Sequence, residues 1–354
     1  MIDTKNLLQQ TIDLKASDLH LVAGVPPTVR IDGELRSIQD SGILTPEIIQ
    51  DALKILLTNE QFERLSVNKE LDFSISFNEK ARFRVNAYTQ KGSFAVAFRR
   101  IPLEVPSLES LRLPKITNSF TNLRQGLVLV TGPTGHGKST TLAAIIDEIN
   151  KTRASHIVTI EDPIEFVFKP VKSIISQREM RSDTHSWQVA LRSVLREDPD
   201  VVLIGEMRDF ETISAAMTIA ETGHLVFGTL HTNSAAQTID RIVDVFPEDQ
   251  QNQMRLQLSS VLEAVFSQRL IAASGGGRVV AHEVMLATNA VKTSIREGKT
   301  HQIDSIIQTS LEIGMSTLEN SLANLIKTNQ ISIDVAQQWA VRPDELSRLV
   351  RGSM

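Results

Sequence analysis

Cysteine is absent from the 354 residues. That excludes disulfides, a cysteine-ligated zinc site and a cysteine nucleophile, and it fits a reducing compartment. Aromatic residues are scarce, at 5% with two Trp and one Tyr. Positive charge is not in excess, since the net charge is −5. This argues against a nucleic-acid partner held by a broad basic surface, as does the lack of a basic stretch studded with aromatics. No apolar run approaches the ~18 residues a membrane span needs. Direct membrane insertion is therefore not expected, and membrane association would come through partners. Met1 to Gln10 lacks the basic-then-apolar order of a leader peptide. There is no internal repeat, low-complexity segment or long charge run. What remains is 41% hydrophobic and 22% charged, typical of a globular chain with two or three domains.

The clearest signal lies at residues 127–140. An apolar run, Leu127 to Val130, meets a glycine-rich turn, and Leu142, Ile145, Ile146 and Ile149 then repeat at helical spacing. Gly132-Pro133-Thr134-Gly135-His136-Gly137-Lys138-Ser139 fits the P-loop pattern, with Thr140 following. The glycines let successive N–H groups point inward at phosphate oxygens, and the helix N-terminus adds more. Lys138 can reach the β/γ-phosphates, and the Ser139 hydroxyl can ligate Mg²⁺. ATP with Mg²⁺ is the expected cofactor.

Residues 1–105 read as a small α+β domain. Lys5 to Leu14 is an amphipathic helix, 17–22 a strand, and Thr28 to Leu35 a hairpin around Asp32-Gly33. Helices follow from Thr45 and over 59–66. Three alternating strands then occupy 71–77, 81–89 and 93–100, carrying Arg82, Arg84, Arg99 and Arg100. Residues 101–114 form a proline-punctuated connector, placing a linker over 106–117. From Leu123 short apolar strands alternate with helices: strands at 127–130, 156–160, 174–177, 201–204 and 225–230, helices at 186–196, 210–222, 234–244 and 247–262. This predicts an α/β core over 118–274, a parallel sheet covered on both faces. Residues 275–354 read as a strand at 278–285 followed by a small helical region.

Hydrolysis needs a carboxylate to orient or deprotonate water, and usually one near Mg²⁺. Glu161 with Asp162, and Glu206, stand after apolar strands, where ligands bind in such sheets. Such carboxylates are often mere helix caps; two beside a P-loop favour catalysis, with their division of labour open. His224 and His231 bracket the 225–230 strand. A histidine there is more often structural, but Thr229-Leu230-His231-Thr232-Asn233 suits a γ-phosphate sensor.

Four segments occur in order: 132–140, Ile160-Glu161-Asp162-Pro163-Ile164-Glu165, Gly205-Glu206-Met207-Arg208-Asp209 after Arg196-Glu197-Asp198-Pro199-Asp200, and Thr222-Gly223-His224 through His231-Thr232-Asn233. Together they resemble the Walker A, Asp-box, Walker B and His-box motifs of the secretion ATPase superfamily, which drives type II and type IV secretion and type IV pili. Ser17-Asp18-Leu19-His20-Leu21 and Ile31-Asp32-Gly33-Glu34-Leu35 point to its pilus-retraction branch. The likeness runs from about residue 5 to about residue 345.

The resemblance implies an N-terminal PAS-like domain, a RecA-like ATPase domain, a homo-hexamer, an inner-membrane platform protein as partner and a cytoplasmic location. It also implies that Arg84 and Arg99 contribute to the phosphates. Two positions depart from the pattern: His136 replaces the usual Ser, and Ala290-Val291-Lys292-Thr293-Ser294-Ile295-Arg296-Glu297 keeps only the second half of the retraction-linked motif Ala-Ile-Arg-Asn-Leu-Ile-Arg-Glu. The rival readings are an assembly or type II secretion ATPase, usually longer and carrying a four-cysteine metal site, a DNA-translocating motor, and a non-hydrolysing nucleotide-binding scaffold.

Overall fold

The computed structural model describes residues 3–31, 33–38, 41–78, 81–101 and 104–351. The chain divides into two compact units, one of residues 1–104 with 163–167, the other of 105–162 with 168–354. Asp32, at the hairpin turn, and Pro102-Leu103, in the connector, lie outside the described residues.

The first unit contains α1 (Thr4–Asp13), β1 (Asp18–Leu21), β2 (Thr28–Ile31), β3 (Glu34–Ser37), α2 (Pro46–Leu56), α3 (Asn59–Asn68), β4 (Glu70–Phe77), β5 (Ala81–Gln90) and β6 (Ser93–Ile101). Thr45 caps α2 ahead of Pro46, and Thr58 with Gln61 forms a capping box on α3. The strands make an antiparallel sheet in the order β3-β2-β1-β6-β5-β4. Period-two alternation puts Ala81, Phe83, Val85 and Ala87 of β5 in the core, against Leu19, Phe98, Ile49 and Leu53. Arg82 and Arg84 take the other parity.

The second unit contains α4 (Thr117–Phe120), β7 (Gly126–Thr131), α5 (Lys138–Thr152), β8 (His156–Glu161), β9 (Ile174–Glu179), α6 (Trp187–Val194), β10 (Val201–Ile204), α7 (Phe210–Glu221), β11 (Leu225–Leu230), α8 (Ala235–Asp244), α9 (Glu248–Val261), β12 (Leu262–Ala272) and β13 (Arg278–Leu286). Helices α10 (Asn289–Arg296), α11 (Ile303–Thr309), α12 (Leu318–Lys327), α13 (Ile333–Trp339) and α14 (Pro343–Arg351) complete it. The sheet order is β13-β12-β7-β11-β10-β8-β9. β7, β8, β10 and β11 are buried nearly throughout, as apolar strands of a sheet covered on both faces must be.

The sheet is not wholly parallel, contrary to the expectation from strand–helix alternation. β12 was not foreseen as a strand; it pairs parallel with β7 and antiparallel with β13. Ser267-Gln268-Arg269 interrupts its apolar run, yet Gln268 is buried. Among the described residues no helix is long and apolar enough to cross a membrane.

Candidate functional site

β7 delivers the chain into the glycine loop, and α5 takes it away. Gly132 has φ +139°, and a Cβ there would lie 2.2 Å from the Gln268 carbonyl oxygen. Glycine is therefore required for the loop to pass this close to β12. Gly135 and Gly137 both have φ +80°. Gly137 is the N-cap of α5 and supplies no side-chain cap, so the first-turn N–H groups face the loop interior, as an anion site needs.

Lys138 is buried at the first position of α5. Its Nζ donates to the carbonyl oxygens of Gly132 (2.8 Å) and Pro133 (3.1 Å) and meets His231 Nδ1 at 3.3 Å. Thr134 Oγ1 reaches the same Nδ1 at 3.2 Å. Both can donate, so Nδ1 accepts and the ring proton sits on Nε2. His231 Nε2 lies 2.9 Å from Glu206 Oε1, and Arg208 Nη2 lies 2.5 Å from Glu206 Oε2. Burial pushes the Glu206 carboxyl up, but the Arg208 hydrogen bond, the adjoining His231 ring and the positive charges of Arg208 and Lys138 outweigh it and hold it below its ordinary value.

Parallel pairing explains why these groups converge. Thr131 of β7 is opposite Leu230 of β11, and Ile204 of β10 is opposite Gly228 of β11 and Ile160 of β8. The residues just beyond, including Gly132, His231, Glu206 and Glu161, therefore share the C-terminal edge of the sheet. Thr229 Oγ1 donates to the Gly205 carbonyl, and Met207 N donates to Thr229 O (3.0 Å), tying the two turns together. Glu161 stands beside Gly205, where an added Cβ would lie 3.2 Å from Glu161 Cα. Its Oε1 accepts from Thr159 Oγ1 (2.7 Å) and Gln177 Nε2 (3.3 Å).

His224 precedes β11, and six residues of strand, about 20 Å, separate it from His231. Its Nδ1 contacts Ile219 O and Thr222 Oγ1, both at 3.0 Å. Arg84 and Arg99 belong to the first unit and are directly opposed on β5 and β6. Arg99 Nε donates to Asp18 Oδ1 at 2.9 Å, and its side chain is otherwise exposed. Ser139 and Thr140 are half-buried in the first turn of α5.

Sequence reasoning gave no role to Arg208 or Gln268. Arg208 was visible as a basic residue two positions from Glu206. Gln268 carried no signal, because its use depends on β12 lying against the loop. Its Nε2 donates to the His136 carbonyl (2.6 Å) and its Oε1 accepts from Thr141 Oγ1 (2.7 Å).

A strand, a glycine cradle with a buried lysine, and a carboxylate–histidine pair on adjoining strand ends define the nucleotide-binding core of a P-loop ATPase. Residues 1–338 match the type II/IV secretion system protein family, to which the chain belongs, and it is an ATPase of that family. It is 48% identical over 343 residues to the type IV pilus retraction ATPase PilT of Pseudomonas aeruginosa, covering 97% of this chain and 99% of that protein. It is 47% identical over 327 residues to a twitching motility protein of Neisseria gonorrhoeae, covering 92% and 87% respectively. The crystal structure of the pilus retraction motor PilT with bound ADP superposes with a TM-score of 0.93 at 46% identity, covering 98% of this chain and 100% of that one.

Proposed function

We propose that this chain is a hexameric motor that hydrolyses ATP with Mg²⁺ to power type IV pilus retraction. The observation that carries the reading is the contact chain from Lys138 through His231 to Glu206, in a protein of which 97% aligns with a type IV pilus retraction ATPase and 92% with a twitching motility protein. The cradle fits a polyphosphate: around Gly135 a Cβ would meet nothing within 4 Å, and Lys138 supplies a buried cation at its base. Mg²⁺ would supply charge neutralisation on the β- and γ-phosphate oxygens, with the Ser139 hydroxyl as its protein ligand.

In this reading Lys138 exchanges loop carbonyls for phosphate oxygens. Glu206, held ionised by Arg208 and His231, orients and deprotonates the attacking water, and Glu161 supports the same edge. His231 reads the γ-phosphate because its Nδ1 already accepts from two loop side chains. His224 acts away from its own chain's phosphates. Arg84 and Arg99 supply charge that only an assembled site provides, in the manner of arginine fingers.

The unit over 1–105 is PAS-like, residues 106–117 are the linker, and the ATPase core beginning near 118 takes in the β12–β13 hairpin, with the later helices as a C-terminal region. The ring works in the cytoplasm, docked on an inner-membrane pilus platform protein, and depolymerises pilin. The test is pilus retraction in cells lacking their own retraction motor, complemented with this chain or with Glu206→Gln. Retraction by the intact chain alone supports the reading. An expressed, hydrolysing protein that restores none would move the function to an assembly or type II secretion motor. A chain that binds ATP without turnover would be a scaffold.

A further inference from the structure

His136 is fastened to β12 by both its main chain and its side chain. Its carbonyl oxygen accepts from Gln268 Nε2 at 2.6 Å, and its Nδ1 accepts from the Leu270 backbone N–H at 2.9 Å. The second bond has a clear origin. β12 pairs with β7 only as far as Ser267, opposite Thr131. Beyond that point β7 has become the glycine loop, and Leu270 N–H faces it with no strand to pair with. The imidazole fills the missing partner's place.

The same ring packs edge-to-face on Trp339, with centroids 5.6 Å apart. Trp339 ends α13, and its carbonyl accepts from Arg269 Nη1 at 2.7 Å. The following turn is pinned from the other side. The Val341 and Arg342 N–H groups donate to Oε1 of the buried Glu319, and the Arg342 guanidinium donates to Oε2. Gly135 and Gly137 flank His136, each with φ +80°, so the loop can pivot about them and carry the ring against the indole.

We infer that His136 is a positioning residue that couples nucleotide occupancy of the glycine loop to the α13–α14 turn through Trp339. The coupling rests on the loop being the nucleotide site. Burial first, then the charges of Lys138, Arg269 and Arg278, hold the His136 pKa below its ordinary value. The ring thus stays neutral, as an Nδ1 acceptor must. When Lys138 leaves the Gly132 and Pro133 carbonyls for phosphate, the loop relaxes and the imidazole moves against the indole. The C-terminal helices thereby register whether the site is filled.

The chain has two tryptophans and one tyrosine, so Trp187→Phe leaves Trp339 as the only tryptophan, excited at wavelengths where Tyr88 does not absorb. In the full-length Trp187→Phe protein, ADP with Mg²⁺ is titrated while Trp339 fluorescence is read, and binding is measured separately by equilibrium dialysis of labelled ADP. The expected result is an emission change that saturates with the dialysis curve. His136→Asn in the same background keeps an acceptor for Leu270 N–H but lacks the ring. Compared at ADP concentrations that dialysis shows to saturate each protein, whatever its affinity, it should lose most of the Trp339 response. Unchanged emission at full ADP saturation would overturn the coupling, and so would a full response in His136→Asn. If dialysis finds no ADP bound to the parent, the nucleotide assignment falls and takes the coupling with it.

Discussion

His231 Nε2 sits 2.9 Å from Glu206 Oε1. The opposite ring nitrogen faces Lys138 and Thr134 of the glycine loop. The ring thus connects Lys138 to Glu206, accepting at Nδ1 and donating at Nε2. Glu206 is held anionic by its neighbours, so it can take a proton from water without first losing one of its own.

Replacing Glu206 by Gln keeps the shape and a hydrogen-bond partner for Arg208 but removes the carboxylate proposed as the base. ATP affinity should stay near the parent value while turnover falls by about 10²-fold or more. The check is phosphate release beside a binding isotherm on the same preparation. Full turnover would shift the base to Glu161.

His231→Ala breaks the link and leaves both ends in place. Turnover should fall by roughly 10–10²-fold, the range for a lost positioning contact. ADP affinity should change less than ATP affinity, since only ATP carries the γ-phosphate. Equal losses for both nucleotides would argue that His231 holds the loop rather than reading the phosphate.

The glycine loop was legible because its pattern is local: the residues that shape the loop and start α5 are adjacent in sequence. The strand-end positions of Glu206 and His231 were legible too, since four apolar runs fixed where the strands stop. β12 was not. Gln268 and Arg269 look like solvated residues in one dimension, and they are used instead on the His136 carbonyl and the Trp339 carbonyl. The two histidines were legible as a bracket around the 225–230 strand, and the structure keeps that order: His224 precedes β11 and His231 follows it, and His231 reaches the loop within the chain.

Asp18 fixes how Arg99 is presented. It takes Nε and leaves the outer edge of the guanidinium exposed, and Ser17 Oγ donates to its other oxygen at 2.7 Å. Arg99→Ala should cut turnover with little effect on ADP binding, and Asp18→Asn should give a milder loss of the same kind. If the arginines act across subunits, mixing Arg84→Ala protein with Lys138→Ala protein should restore part of the activity. No recovery at any ratio, with mixed assemblies demonstrated by mass spectrometry, would count against that geometry.

Adjacent residues on β13 oppose each other in pH. Burial raises the Glu283 carboxyl to about 7, with Asp304 and Glu319 adding to the rise and the Ala235 N–H and Arg342 opposing it. Desolvation lowers the His282 imidazole to about 4, where it stacks on Phe266 and meets Ser321 Oγ at 3.2 Å. Between pH 4.5 and 7 the folded chain keeps a Glu283 proton that the unfolded chain has lost, so this group makes stability fall as pH rises. Between pH 4 and 6.5 the unfolded chain holds a His282 proton that the folded chain refuses, so this group makes stability rise with pH. Each effect is on the order of 1–3 kcal/mol, and the two nearly cancel across the shared window. Glu283→Gln should expose the histidine slope. Stability should climb from pH 4 to 6.5, and the variant should exceed the parent above pH 7, where the parent carries a buried carboxylate. His282→Asn should show the reverse slope, with stability declining from pH 4.5 to 7. Urea midpoints at fixed protein concentration would measure both. A Glu283→Gln profile parallel to the parent would mean that Glu283 is ionised throughout and acts only as the acceptor for the Ala235 N–H at the start of α8, 2.7 Å away.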